Sequence, residues 1–178
     1  MAHPLLQTIR KLYAFRCGYC GVSEVEVGGE LTADHFLPIS AGGEDNVENL
    51  VYACIRCNQY KGAVIPVATN LGHEHPLLHP LRDDLALHVH EDEATGRLEG
   101  LTATGNFYIE VLRLNRQALI VNRQRRNLIA LLEARLEQAL TENTALLERL
   151  TRRELYIAYL EQRLPKPTIP QDTGESQL

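Results

Sequence analysis

The sequence predicts an α+β fold: a small metal-stapled strand-and-helix module, then a β-hairpin with a short helix, then one long helix. Three observations predict it. Two Cys-x-x-Cys pairs, Cys17/Cys20 and Cys54/Cys57, bracket a stretch that reads strand, long loop, strand, helix. Residues 85–90 alternate apolar and polar and are followed, across Thr95-Gly96, by a matching partner at 97–101. From about 116 to 163 the chain holds neither Pro nor Gly, and leucines recur at helical spacing.

The totals suit a core plus an extension. The chain has 178 residues, 44% hydrophobic and 23% charged, which fits a folded soluble protein rather than a disordered one. A net charge of -5 excludes a generally basic surface, so any nucleic-acid contact must be local. No apolar run is long enough to span a bilayer. The N-terminus carries charges within its apolar stretch and no small-residue cleavage site, so no signal peptide is expected. All four cysteines lie in the two pairs, and nothing marks the chain as secreted, so the expectation is a reducing, cytoplasmic setting.

Taken in order, residues 4–15 read as a short helix with Leu5, Ile9 and Leu12 on one face. Residues 17–30 read as the first knuckle and a polar loop. Residues 31–36 read as a strand, 37–49 as a loop broken by Pro38, Gly42 and Gly43, and 50–53 as a second strand. Asn58 to Lys61 read as the opening of a helix closed by Gly62. Residues 67–84 read as loop. A helix capped by Thr104 or Gly105 runs to Leu112, and Asn115 is expected to cap the long one. Pro165 and Pro167 end it, and 165–178 read as a disordered tail.

A heptad fits the long helix. Position a falls at Ile129, Leu136, Asn143, Leu150, Ile157 and Leu164, and d at Leu132, Ala139, Leu146, Arg153 and Leu160. Asn143 is the residue type that fixes register at an a position, whereas Arg153 at d is a defect. Leu140 and Leu147 widen the seam. The pattern predicts a coiled coil through 129–164 with a second copy or a partner helix, against the plainer option of an amphipathic helix lying on its own domain.

Four thiolates from two tight pairs favour a tetrahedral zinc with no open position, hence a structural site. Between the pairs stand Asp34-His35 and Asn49, and just past them Asn58 and Lys61. Adjacent residues on a strand face opposite ways, so Asp34 and His35 serve one site only if the strand end twists. His73, His75, His79, His88 and His90 could form another metal site, although loop histidines without cysteines or helical spacing usually do not. Arg113, Arg116, Arg123, Arg125 and Arg126 form the one acid-free basic band, a candidate phosphate contact or a solvated helix face.

The run DHFLPISAGGEDNVENLVYACIRCNQYKG resembles the HNH endonuclease family, in its cysteine-knuckle branch. The matching elements are Asp-His, the loop Pro and Gly-Gly, Asn-Leu before the second strand, and Cys-x-x-Cys-Asn-x-x-Lys-Gly, closely over residues 16–62. The resemblance implies a ββα-metal fold holding one catalytic Mg²⁺ or Mn²⁺. It implies His35 as general base, Asp34 and Asn58 as metal ligands, Asn49 as a brace that orients His35, and Lys61 near the phosphate. Asp34 and Asn58 stand where the family often has His. A looser likeness continues to about residue 126, through HPLLHPLRDDLALHV and LRLNRQALIVNRQRR, with Gln117 where proline is frequent. Some relatives work beside an ATPase in phage defence. The expected layout is a nuclease module over 1–66, a connecting loop, hairpin and short helix over 67–114, the long helix over 115–164, and a tail over 165–178. The expected activity is DNA cleavage. The alternatives are an RNA endonuclease, disfavoured by the lack of an aromatic stacking platform, or a non-catalytic nucleic-acid-binding scaffold.

Overall fold

The computed structural model describes residues 3–67 and 75–164. His73 and the tail over 165–178 lie outside the described residues. The chain divides into two units, Met1–Ile129 and Ala130–Leu178.

In the first unit, helix α1 (Leu6–Leu12) buries Leu6 and Ile9 against the module that follows. The first knuckle leads into a four-residue helix α2 (Glu24–Val27), where a loop was expected. Its cause is local: Ser23 accepts from Glu26 N while the Glu26 carboxylate accepts from Ser23 N, a reciprocal capping box that satisfies two orphan amides. Strands β1 (Thr32–His35) and β2 (Leu50–Ala53) pair antiparallel, with Asp34 opposite Val51 and His35 opposite Leu50. All four residues of β2 are buried, which makes it the centre of the core.

Helix α3 (Ile55–Lys61) begins three residues earlier than Asn58. Cys54 is its N-cap, the sulfur accepting from Cys57 N, so the second knuckle is itself the first turn of the helix. The 37–49 loop holds two short 3₁₀ turns, Ile39–Ala41 and Val47–Asn49. The strand expected over 85–90 is shared between a 3₁₀ turn at Leu85–Leu87 and strand β3 (Val89–Asp92), which pairs with β4 (Arg97–Gly100). Asp84 caps that turn, so Leu87 is exposed rather than packed beside Val89.

Helix α4 (Ala103–Val111) is capped by Thr102, not Thr104 or Gly105, with the Thr102 hydroxyl accepting from Gly105 N. Gly105 is needed for another reason: a Cβ there would lie 1.9 Å from His88 O. Helix α5 (Gln117–Arg163) has the expected extent. Asn115 does not cap it. Its amide instead pairs with both backbone groups of Leu98 at 2.7 Å, tying the chain before α5 to β4. In the second unit, the seam residues of α5 from Leu132 to Leu164 are exposed. No helix among the described residues is long and apolar enough to cross a membrane.

Candidate active site and metal centre

The four cysteines converge. Their sulfurs lie within 4.8 Å of one another, each a free thiol, with Cys20 and Cys54 at 3.8 Å. A tetrahedral ion with arms of about 2.3 Å sets its sulfurs about 3.8 Å apart, so the cluster fits a structural zinc. Thiols this close cannot ionise alike. Hydrogen bonding, first of all with Cys17, draws Cys54 far below an ordinary thiol and pushes Cys57 far above it. A cation would release that conflict by taking all four as thiolates. One is already adjacent: Arg116 Nη2 meets the sulfurs of Cys57 at 3.5 Å and of Cys20 and Cys54 at 3.9 Å. Arg116, expected in the phosphate-binding band, is thus half-buried against sulfur.

Asp34 and His35 part company as strand alternation requires. Asp34 is only 6% exposed and points to the α3 side of β1. Tyr19 donates its hydroxyl to Asp34 Oδ2 at 2.5 Å, and Lys61 Nζ lies 3.3 Å from the same carboxylate oxygen. Lys61 is 1% exposed, and it also donates to His35 O at 2.6 Å. Burial lifts the Asp34 carboxyl against the pull of Lys61 and Tyr19, and it lowers the Lys61 ammonium against the pull of Asp34. Lys61 is therefore a buried counter-ion in this structure, not a surface cation. On the same face, Asn58 Nδ2 donates to Thr32 Oγ1 at 3.2 Å, which leaves the amide oxygen as its accepting end. Asp34 and Asn58 thus share the β1–α3 seam.

His35 lies on the other side. Its Nε2 stands 2.9 Å from Asp45 Oδ1, and His3 Nε2 stands 2.6 Å from the same oxygen. The two imidazoles meet edge to face, with centroids 5.9 Å apart. These hydrogen bonds, His35 first and then His3, hold the Asp45 carboxyl below its usual range. An ionised carboxylate only accepts, so His35 donates from Nε2 and keeps Nδ1 as its basic nitrogen.

Asn49 fixes the loop that carries Asp45. Its Oδ1 accepts from Leu37 N at 2.8 Å, and its Nδ2 donates to Leu37 O and Glu44 O at 3.0 and 2.9 Å. Gly43 lies against this bracket: a Cβ there would fall 1.9 Å from Leu37 O and 2.8 Å from Asn49 Nδ2. The Gly-Gly of the sequence thus has a steric cause.

The basic band does not present itself whole. Arg123 is 5% exposed, its guanidinium donating to Gly96 O at 2.7 Å and Leu114 O at 2.6 Å. Reaching a phosphate would orphan those carbonyls, so Arg123 is a pin between the β3–β4 turn and α5. Arg126 pairs with Glu91, and Arg113 stacks over Tyr60 at 4.8 Å. Arg125 is exposed. Among the described histidines, His79 packs on Phe36 and His88 bonds to Thr102 Oγ1, and the histidine metal site that the sequence disfavours is not assembled among the described residues. Sequence reasoning missed Tyr19, Asp45 and His3. Each is an ordinary residue made special only by what the fold sets against it.

The comparisons with known proteins agree with this geometry. A family model described as HNH endonuclease matches residues 17–63, well under half of the chain. No curated protein and no solved structure matches. The matched segment holds both cysteine pairs, the β1–β2 hairpin and α3. Residues 17–63, then, are similar to the HNH endonuclease domain, and the four-cysteine cluster fits the zinc-containing branch of that family.

Proposed function

We propose that this protein is a metal-dependent endonuclease that hydrolyses DNA phosphodiester bonds, with His35 as the general base. The observation that carries the reading is the family match across 17–63 together with a half-exposed His35 imidazole held at the end of β1 by Asp45. His35 takes a proton from water at Nδ1, and Asp45 at Nε2 holds the ring and stabilises the imidazolium that forms. Asn49 keeps Asp45 in place through the loop.

The seam between β1 and α3 offers the donors that a hard divalent ion prefers, one carboxylate and one amide oxygen. The Lys61 ammonium already sits on that carboxylate as an internal stand-in for a cation. Asp34 and Asn58 would hold Mg²⁺ or Mn²⁺, which supplies charge neutralisation at the phosphate and the departing oxygen. Lys61 must release Asp34 for this, and its freed ammonium is then placed for the phosphate.

Plasmid nicking with Mg²⁺, Mn²⁺ or chelator, run beside His35→Ala, tests the reading. Metal-dependent cleavage lost in His35→Ala, with the cysteine-bound zinc and the melting unchanged, is expected. Full activity in that variant removes His35 from the mechanism. Binding of DNA without cleavage in any divalent ion would favour a zinc-stabilised binding module, a reading that the buried Lys61–Asp34 pair supports. The exposed leucines and isoleucines between Ile129 and Leu164 support self-association through α5, because monomeric surfaces rarely carry so much contiguous apolar area. Light scattering of the purified chain should give a dimer mass, and a monomer at all concentrations removes the idea. The family likeness supports a role in phage defence, for which plaque counts with the parent and His35→Ala genes should differ.

A further inference from the structure

The triad of His3, His35 and Asp45 has the makings of a metal site distinct from the cysteine cluster and from the Asp34–Asn58 seam. His3 lies outside the matched segment, fourteen residues ahead of Cys17, and the turn into α1 returns it to the end of β1. Three donor atoms, two imidazole Nε2 and one carboxylate oxygen, lie within 4.8 Å of one another. The two nitrogens stand 2.6 and 2.9 Å from that oxygen. A tetrahedral ion with arms of about 2.0–2.1 Å needs donors about 3.3 Å apart, a small outward movement for half-exposed side chains. Two imidazoles and one carboxylate select a first-row transition ion such as Zn²⁺ over Mg²⁺, and three protein ligands leave a fourth place open.

We infer that His3, His35 and Asp45 bind a transition-metal ion, of which Zn²⁺ is the representative, and that its binding switches the nuclease off. The second half rests on the function proposed above. With the ion on Nε2, each neutral imidazole keeps its single proton on Nδ1. For His35 that is the nitrogen that would otherwise accept a proton from water. The His3 Nδ1 now accepts from Leu5 N at 3.1 Å, and that amide turns to solvent at the open start of α1 when the proton moves. The site therefore exchanges a two-donor hydrogen-bond arrangement for a metal, and the same His35 cannot serve both.

The test uses the full chain with its cysteine cluster loaded with zinc. Co²⁺ and Zn²⁺ are titrated by calorimetry and, for Co²⁺, by visible absorption. With excess Mg²⁺ present to fill the Asp34–Asn58 seam, one further ion per chain should bind, and Mg²⁺ should not displace it. His3→Ala and Asp45→Ala should each weaken it by more than about tenfold, the loss that even outer-shell changes cause. An unchanged affinity in both variants, or no further ion bound, overturns the site. In the cleavage assay, added Zn²⁺ should inhibit the parent and not His3→Ala, each read against its own zinc-free rate. Equal inhibition of both overturns the switch. Absence of cleavage under every condition, with the extra ion still bound through His3, would sink the nuclease reading and leave the metal site standing.

Discussion

The four-cysteine cluster and the His3–His35–Asp45 cluster are built from the same few tens of residues and face opposite fates. The first is buried, uses soft donors throughout, and has the Arg116 guanidinium against three of its sulfurs. The second is half-open, mixes nitrogen and oxygen, and draws one donor from a loop and another from the N-terminal segment. The difference teaches how a small module separates folding from chemistry. Donors that must never let go are inside the core and on the hairpin-to-helix turn. On the function proposed above, the donors that would exchange protons are where water reaches them. Between the two lies the Tyr19–Asp34–Lys61 group, buried like the first and charged like the second.

The strongest way to break the comparison is at the closed cluster. Cys57→Ala removes both a zinc ligand and a fully buried side chain. Structural zinc supplies roughly 10–16 kcal/mol in small metal-folded domains, so this variant should lose its zinc and its cooperative melt. A native melt with zinc absent would show that the apolar core folds unaided. Equivalent loss of a donor at the open cluster, Asp45→Ala, should leave a cooperative melt and the cysteine-bound zinc in place, because Asp45 is exposed and lies outside the core.

Next comes the group between them. Lys61→Met leaves the Asp34 carboxylate buried without a counter-ion, which should cost about 3–5 kcal/mol in denaturant unfolding. Adding Asp34→Asn should recover most of it, because the orphaned charge goes too. A double variant as unstable as the single one would mean that Lys61 matters for its packing and its bond to His35 O rather than for the ion pair.

A smaller effect separates the two sides by pH. Burial lowers His79, which packs on Phe36, from its ordinary 6.5 to about 4. The unfolded chain therefore binds the proton first. The stability from keeping His79 neutral is whole above pH 6.5 and is lost as pH falls toward 4, by roughly 3 kcal/mol at most. Equilibrium unfolding across that window should show the slope in the parent and a flatter one in His79→Leu. Glu24, drawn down to about 2 chiefly by its hydrogen bond with Arg10, adds a further acid loss below pH 4.5.

The smallest effect concerns DNA. Exposed Arg125 and Glu91-paired Arg126 remain the candidates for phosphate contact, whereas Arg123 is spent on carbonyls. Arg125→Ala should reduce the salt slope of DNA binding by up to about one. Arg123→Ala should instead lower the melting temperature, and a change in salt slope without one would return it to the interface.

Much of this was legible in the sequence because the signals were local. Two Cys-x-x-Cys spacings gave the cluster, Pro38 and Gly-Gly gave the loop, and the absence of Pro and Gly gave the extent of α5. The Ser23-x-x-Glu26 capping box is equally local, and it makes a helix of α2 where the polar composition of 17–30 points to a loop. Other features were not local at all. Nothing near Asp45 announces His3, forty-two positions earlier, and no rule of spacing separates Arg123, pinned on Gly96 O, from Arg125 two residues on. Asn115 looked like a cap because it precedes a helix, but the backbone of β4 offered its amide two partners at once. Strand alternation did foretell that Asp34 and His35 would face different ways, and the structure shows what each one meets there.

The Arg116 guanidinium carries a consequence for the order in which the molecule is made. Chains emerge from the ribosome N-terminus first, at roughly 5–20 residues per second, and domains fold as they appear. All four sulfurs have been synthesised by Cys57, well before Arg116. If the knuckles close on an ion as they emerge, Arg116 meets a cluster of thiolates whose four sulfurs were all made before it. The residue just ahead of the long helix is thus held by groups that all precede it in the chain.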